Sequence, residues 1–433
     1  MGSGRTSMGG FDGEFLAAAT NTIVITFNYR LGALGFSYFP GLVTRNLGLD
    51  DQTFLLQWVH RNIDAFGGDP SKITLGGESA GAVSLCFHMI SPESKSLFSS
   101  LLSMSGPCSI DFPTATFVQE NIGKKLVENV GCHEHHKSDE ALRRCMKAVA
   151  SEALLHSVPV RRGVFFGKGA FYLPFLGGDD YKTHPHDAIL NLELDPSMKG
   201  FIFGTCSDEG TLFSFIAFPL ICTEEIVTSL TRSMFEGFVG ANHTINDQSR
   251  AQIMSHYSLQ RYQTHSNLIS SVMGDAFNCG IFETARVVSS ALVKEKEGLE
   301  GNGDSSPRVF AYFYSHLPDW STLKQLKVYH SVDQASVFHQ TLQGNSNLSY
   351  RDHAASIVMI SYLRDFFHQK EFASDPDLPT WRPFMTKSGA LQHSDEIEHE
   401  HLERVMNMSQ SPNLISTKIR EEECTLWKTH FPK

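Results

Sequence analysis

No stretch of the chain stays apolar long enough to cross a bilayer, so no membrane span is expected. The opening residues, Met1 to Arg5, hold no apolar core and do not read as a secretion signal. The closing residues, Thr429 to Lys433, carry no anchor or retention signal. Basic residues are also in short supply. Lys and Arg total 36 against 47 Asp and Glu, a formal net charge of -11. Nucleic acid rewards a basic surface, so no nucleic-acid partner is expected. No two of the eight cysteines are spaced C-x-x-C, which leaves them without a metal-site pattern, and no metal is expected. There is no internal repeat.

What is present is a globular composition, 41% apolar and 19% charged over 433 residues. The length allows two or three domains, but α/β enzymes of this size also run as one, and a single domain over 1–433 is the reading adopted. Three glycosylation acceptor sequons begin at Asn242, Asn347 and Asn407. Beside eight cysteines they point to an oxidising compartment, hence to secretion or the secretory pathway.

Residues 21–30 are rich in β-branched and aromatic side chains and read as a strand buried on both faces. Leu55, Val59, Ile63 and Phe66 recur at helical spacing, and 67–70, Gly-Gly-Asp-Pro, ends that helix. A short strand at 73–75, a helix at 79–90 and a strand at 101–105 follow. Further strands are expected at 201–203 and 308–314. The alternation predicts a mostly parallel sheet wound with helices, an α/β fold. The mixed regions between the later strands are read as a helical cap, and 298–307 as a polar surface loop.

The strongest local signal is 77–81, Gly-Glu-Ser-Ala-Gly, between a predicted strand and a predicted helix. That is the setting of a nucleophile elbow: a tight turn lifts the Ser79 hydroxyl out of the sheet. The helix that follows aims its N-terminus at the site, and the Ala80 N–H can stabilise an oxyanion. A serine hydroxyl needs a base, and twenty histidines compete for the role. His60, His88 and His156 fall in helices and read as structural. His133, His135 and His136 read as solvated surface.

Further segments carry a resemblance. They are 28–32 (Asn-Tyr-Arg-Leu-Gly), 46–52 (Asn-Leu-Gly-Leu-Asp-Asp-Gln), Trp58-Val59, 65–70 (Ala-Phe-Gly-Gly-Asp-Pro) and the serine motif itself. Together the chain resembles type-B carboxylesterases and cholinesterases over nearly its whole length, which implies the α/β-hydrolase fold. The resemblance places the acid at Glu209, in Asp208-Glu209-Gly210 after 201–204. It places the base at His330, whose loop leads to Val337-Phe338. The implied chemistry is ester hydrolysis through an acyl-enzyme on Ser79, with no cofactor, acting on a small-molecule ester. By the same pattern Cys132 pairs with Cys145 and Cys279 with Cys424. Cys86 reads as a buried thiol, and Cys108, Cys206 and Cys222 stay unassigned. Trp381 to Phe384 and Cys424 to Trp427 match the family's closing segments.

Against the pattern, no His-Gly-Gly-Gly run precedes Gly2-Ser3-Gly4. On the order of 100 residues of it are unmatched, including the first strands and one expected between 21–30 and 73–75. An impaired oxyanion hole follows from that reading. The substrate pocket is assigned to Glu78, Ala170, Tyr172 and Leu212. Leu212 stands where cholinesterases carry an aromatic for quaternary ammonium, so uncharged esters are favoured over choline esters. Two alternatives stay open: a cholinesterase, or a non-catalytic adhesion protein of the neuroligin kind.

Overall fold

A computed structural model describes residues 10–135, 138–157, 172–217, 252, 255–297, 308–342, 344–370, 372, 375–384, 404–416 and 421–428. Among the described residues six strands form one sheet in sequence order: β1 (Thr74–Glu78), β2 (Ser100–Met104), β3 (Gly200–Cys206), β4 (Arg308–Tyr314), β5 (Arg404–Met408) and β6 (Asn413–Ser416). Neighbours from β1 to β5 run parallel, and β6 turns back antiparallel on β5. β2 and β3 are buried at every position, which is why they read as continuous apolar runs rather than alternating ones.

Successive side chains point to opposite faces, and each face has its own core. Leu101, Phe201, Phe203, Val309 and Val405 pack in one cluster with α2 (Leu47–Asn62), α3 (Ala80–His88) and α5 (His265–Glu297). Leu102, Ile202, Phe310, Tyr312 and Met406 pack in the other, with α1 (Glu14–Thr20), α6 (Val332–Phe338) and α7 (Tyr350–Phe367). α4 (Gly210–Ala217) follows β3, and α8 (Glu421–Lys428) closes the described chain. Trp427 of α8 is fully buried and its indole N–H donates to the Tyr257 hydroxyl at 2.6 Å.

The family fold expected from the sequence is present, with two corrections. Residues 21–30 form no strand. They alternate between half-buried and exposed as an extended chain does, but no described strand lies beside them, and a strand exists only by its pairing. Their end is fixed instead by Arg30, whose backbone N–H and guanidinium both donate to Asp51. A second correction concerns Cys86. It is no thiol but is bonded to Cys108, with the Cα atoms 5.5 Å apart. Cys132–Cys145 and Cys279–Cys424 are the other two disulfides. Cys206 is free and buried, and Cys222 lies outside the described residues.

Candidate active site

Ser79 joins β1 to α3 with φ 54° and ψ -116°, a conformation that side chains other than glycine rarely take. Its backbone N–H donates to the Met104 carbonyl of the neighbouring strand at 2.8 Å, which anchors the turn. Gly77 makes the turn possible, since a Cβ there would lie 2.5 Å from the Gly81 carbonyl carbon. A Cβ on Gly81 would meet open space, so crowding explains only the first glycine of the motif. The Ala80 N–H, at the start of α3, has no backbone partner among the described residues and borders the cavity beside Ser79.

His330 lies 251 residues further on, just before α6. Its Nε2 stands 2.7 Å from the Ser79 Oγ and its Nδ1 2.5 Å from the Glu209 Oε2. The ring packs against Phe213 and Phe277, at centroid distances of 4.7 and 5.0 Å. Glu209 is wholly buried between β3 and α4. Its Oε1 accepts from the Ser105 hydroxyl at 2.6 Å, the Cys206 N–H at 2.7 Å and the Thr205 hydroxyl at 3.0 Å. Thr205 has one proton, yet it also faces the Asn278 Oδ1 at 2.5 Å while the Asn278 Nδ2 has no partner among the described residues. Turning that amide over lets Nδ2 donate to Thr205 and frees the threonine proton for Glu209.

The charges act on one another. Burial favours a neutral Glu209, but His330, the Ser105 hydroxyl and the Cys206 N–H outweigh it and hold the carboxyl below its ordinary range. Burial also opposes a charged His330. The two carboxylates Glu209 and Glu78 prevail and push its pKa up to about 9. Glu78 sits 3.4 Å from the His330 Nε2 and accepts from the Ser331 hydroxyl at 2.6 Å. Its own pKa is pushed up to about 7 by burial, against the pull of His330 and Ser331. Asp333, buried and bonded to the Tyr312 hydroxyl at 2.6 Å, is raised to about 6 by burial.

A cavity of about 1140 Å³ opens beside Ser79 and runs along the edge of β1 that no described strand pairs. Of the residues assigned to a substrate pocket from sequence, Glu78 lines it. Tyr172 and Leu212 do not. Tyr172 is instead buried in the core that holds α3, and Leu212 packs on the cluster of Tyr312 and Tyr314. Ala170 lies outside the described residues, as does Asn242. Asn347 stands exposed on a loop, whereas Asn407 lies in β5 with its amide bonded to Ser315 and Asn413. No group of three or more potential metal ligands occurs among the described residues, and no described helix is long and apolar enough to cross a membrane.

Sequence reasoning did not find Ser105, Thr205, Asn278 or Ser331. Ser105 and Asn278 reach the site only through the sheet and α5, whereas Ser331 directly follows His330 and Thr205 lies four residues before Glu209. The one local cue was Ser105 at the end of β2, at φ 53°, before a glycine.

Residues 1–427 match the model of the carboxylesterase family, and the chain belongs to that family. The mouse cholinesterase (Mus musculus) is 27% identical over 454 residues, an alignment spanning 100% of this chain and 68% of the relative. The acetylcholinesterase of Bungarus fasciatus is 25% identical over 447 residues, again 100% of this chain and 68% of the relative. The human bile salt-activated lipase is 28% identical over 423 residues, covering 91% of this chain and 52% of the lipase. Membership of the family supports ester hydrolysis in general.

Proposed function

We propose that this chain is a serine hydrolase of carboxylic esters, with Ser79 as nucleophile, His330 as general base and Glu209 as the acid that orients it. The observation that carries the reading is the unbroken hydrogen-bonded line from the Ser79 Oγ through His330 to a buried carboxylate, at 2.7 and 2.5 Å. In its neutral form, with the proton on Nδ1, His330 takes the Ser79 proton at Nε2 as Oγ attacks the ester carbonyl. The negative oxygen that develops faces the Ala80 N–H. His330 then gives its proton to the departing alkoxide, which leaves as the alcohol. Water, deprotonated by the same nitrogen, attacks the acyl carbonyl, and the acid leaves as His330 returns the proton to the Ser79 Oγ. Glu209 holds Nδ1–H and stabilises the imidazolium, the form that two nearby carboxylates already favour. No metal or organic cofactor takes part. Ala80 is the oxyanion donor assigned among the described residues. One such donor is worth roughly 10²–10³ in rate.

The substrate reading is an uncharged, apolar ester. The cavity at Ser79 is walled largely by aliphatic side chains such as Leu75, Leu56 and Val337. Glu78 at its edge has a pKa near neutrality, so it offers a cation only a partial charge. The three disulfides fit an oxidising, secretory setting. A fluorophosphonate probe tests the reading: it should label Ser79, and Ser79→Ala should lose both the label and p-nitrophenyl butyrate hydrolysis. An unlabelled, intact protein would point to the adhesion alternative. A kcat/KM for acetylthiocholine above that for the neutral ester would point to a cholinesterase.

A further inference from the structure

His330 ends a loop, and the loop has to be held in register for its imidazole to meet Glu209. Leu326 and Val328, just ahead of the histidine, are buried in the cluster of Tyr312 and Tyr314. Lys327 between them takes φ 56° and ψ -131°, a strained conformation for any residue but glycine. Burying two apolar side chains sets how deep the loop lies, but that force has no direction and does not set register. Hydrogen bonds do. Among the described residues the main chain of 322–328 makes two that leave the stretch between β4 and α6.

Both go to the turn of Glu209, one on each side of the strained Lys327. The Asp208 N–H donates to the Val328 carbonyl at 3.0 Å. The Thr211 hydroxyl, two residues beyond Glu209 in α4, lies 2.6 Å from the Leu326 carbonyl. A helical threonine commonly turns its hydroxyl back on its own helix, and the Asp208 carbonyl is also within 2.8 Å. That carbonyl is already served by the Thr211 N–H at 3.1 Å, and the hydroxyl has a single proton. The Leu326 carbonyl has no other donor among the described residues, so the proton belongs on the shorter line. Beyond His330 the loop is held again, by the Ser331 hydroxyl on Glu78 at 2.6 Å.

We propose that Thr211 is a positioning residue: its hydroxyl ties the loop that carries His330 to the turn that carries Glu209, and so sets the register of the base on the acid. Thr211 acts only through His330. The two links of the hydrogen-bonded line are 2.7 and 2.5 Å long, which leaves no slack to absorb a shift of the loop. A misplacement of ~1 Å costs about 10²-fold in rate.

The test is a donor series at Thr211. Serine keeps a full donor on a smaller side chain, cysteine keeps a weak one, and valine keeps the volume with no donor. The first readout is the downfield proton resonance of the His330 Nδ1–H, identified by its absence from His330→Gln. It needs no turnover. The second is kcat and KM for p-nitrophenyl acetate, and only this arm rests on the hydrolase reading. The resonance should hold in Thr211→Ser, weaken in Thr211→Cys and be displaced or broadened in Thr211→Val. The kcat should fall in the same order, about tenfold or more with valine, while KM holds. A resonance that ignores the series, or that follows side-chain volume instead of donor strength, overturns the proposal whatever the rates do. So does its absence from the unaltered chain, since no fixed bond would then exist to be positioned. Should Thr211→Val fail a thermal melt, serine against cysteine makes the same comparison. A resonance that follows the series in a chain without turnover would sink the hydrolase reading and leave the role of Thr211 standing.

Discussion

Replacing Glu209 by glutamine keeps the shape of the side chain and removes its charge. Three donors, Ser105, Thr205 and the Cys206 N–H, converge on Oε1. They fix the amide oxygen at that position, so the amide nitrogen must take the place of Oε2. There it meets the His330 Nδ1 across 2.5 Å. Two donors cannot bond each other, so the imidazole moves its proton to Nε2 and accepts at Nδ1. Nε2 then donates to Ser79 and can no longer take its proton. Loss of the correct tautomer, together with loss of the charge that stabilises the imidazolium, costs about 10⁴-fold in kcat, or about 5 kcal/mol of barrier. The three donors stay satisfied, so the fold should hold. The assay is single-turnover hydrolysis of p-nitrophenyl acetate by Glu209→Gln, beside a thermal melt and a circular dichroism spectrum. A variant with unchanged folding that retains a tenth or more of the rate would refute the tautomer argument and with it the role of Glu209.

Three further outcomes are expected. Glu78→Gln removes one of the two carboxylates that raise His330, so the acid limb of kcat/KM should move to lower pH; an unmoved limb would mean that Glu78 is already neutral. By loop entropy, opening Cys279–Cys424, with a separation of 145, should cost about 5 kcal/mol and opening Cys132–Cys145, with a separation of 13, about 3. Guanidinium melts of the two double-alanine variants would show the reverse order if chain entropy is not the controlling effect. Buried His88, between Gln52 and Ser94, is pushed down to about 4 by burial and stays neutral in the fold. Its folded pKa lies below its unfolded one, so its contribution is whole above about pH 6.5 and is lost as pH falls towards 4, in all about 3 kcal/mol. His88→Gln should flatten that acid-side loss in urea melts taken between those pH values.

The serine turn was legible in the sequence because its determinants are local: a strand, a crowded Gly77 and a helix lie within a dozen residues. Glu209 and His330 are 130 and 251 residues away from Ser79, and no periodicity points to them. Only the family resemblance picked them out of 47 acids and 20 histidines. Ser105 was illegible for the same reason, since only the parallel strands bring it beside Thr205 and Glu209 across about 100 residues. Residues 21–30 show the opposite failure. Their β-branched composition does favour an extended backbone, but pairing is a tertiary property that composition does not contain. The β5–β6 hairpin was passed over because each arm is short, although Ser409-Gln410-Ser411-Pro412 between them is good turn sequence.

The Cys86–Cys108 bond has a consequence for how the site wears out. Cys86 belongs to the helix that Ser79 starts, and Cys108 follows three residues after Ser105, which steadies Glu209. One covalent link therefore clamps the nucleophile's support to the acid's support, across the strand edge between them. Heat or denaturant has to pull on both ends of the hydrogen-bonded line at once, and neither can drift alone. A reductant that reaches this bond would act differently. It would let serine and carboxylate lose register while the sheet beneath them stayed folded, so the protein would fall silent before it came apart.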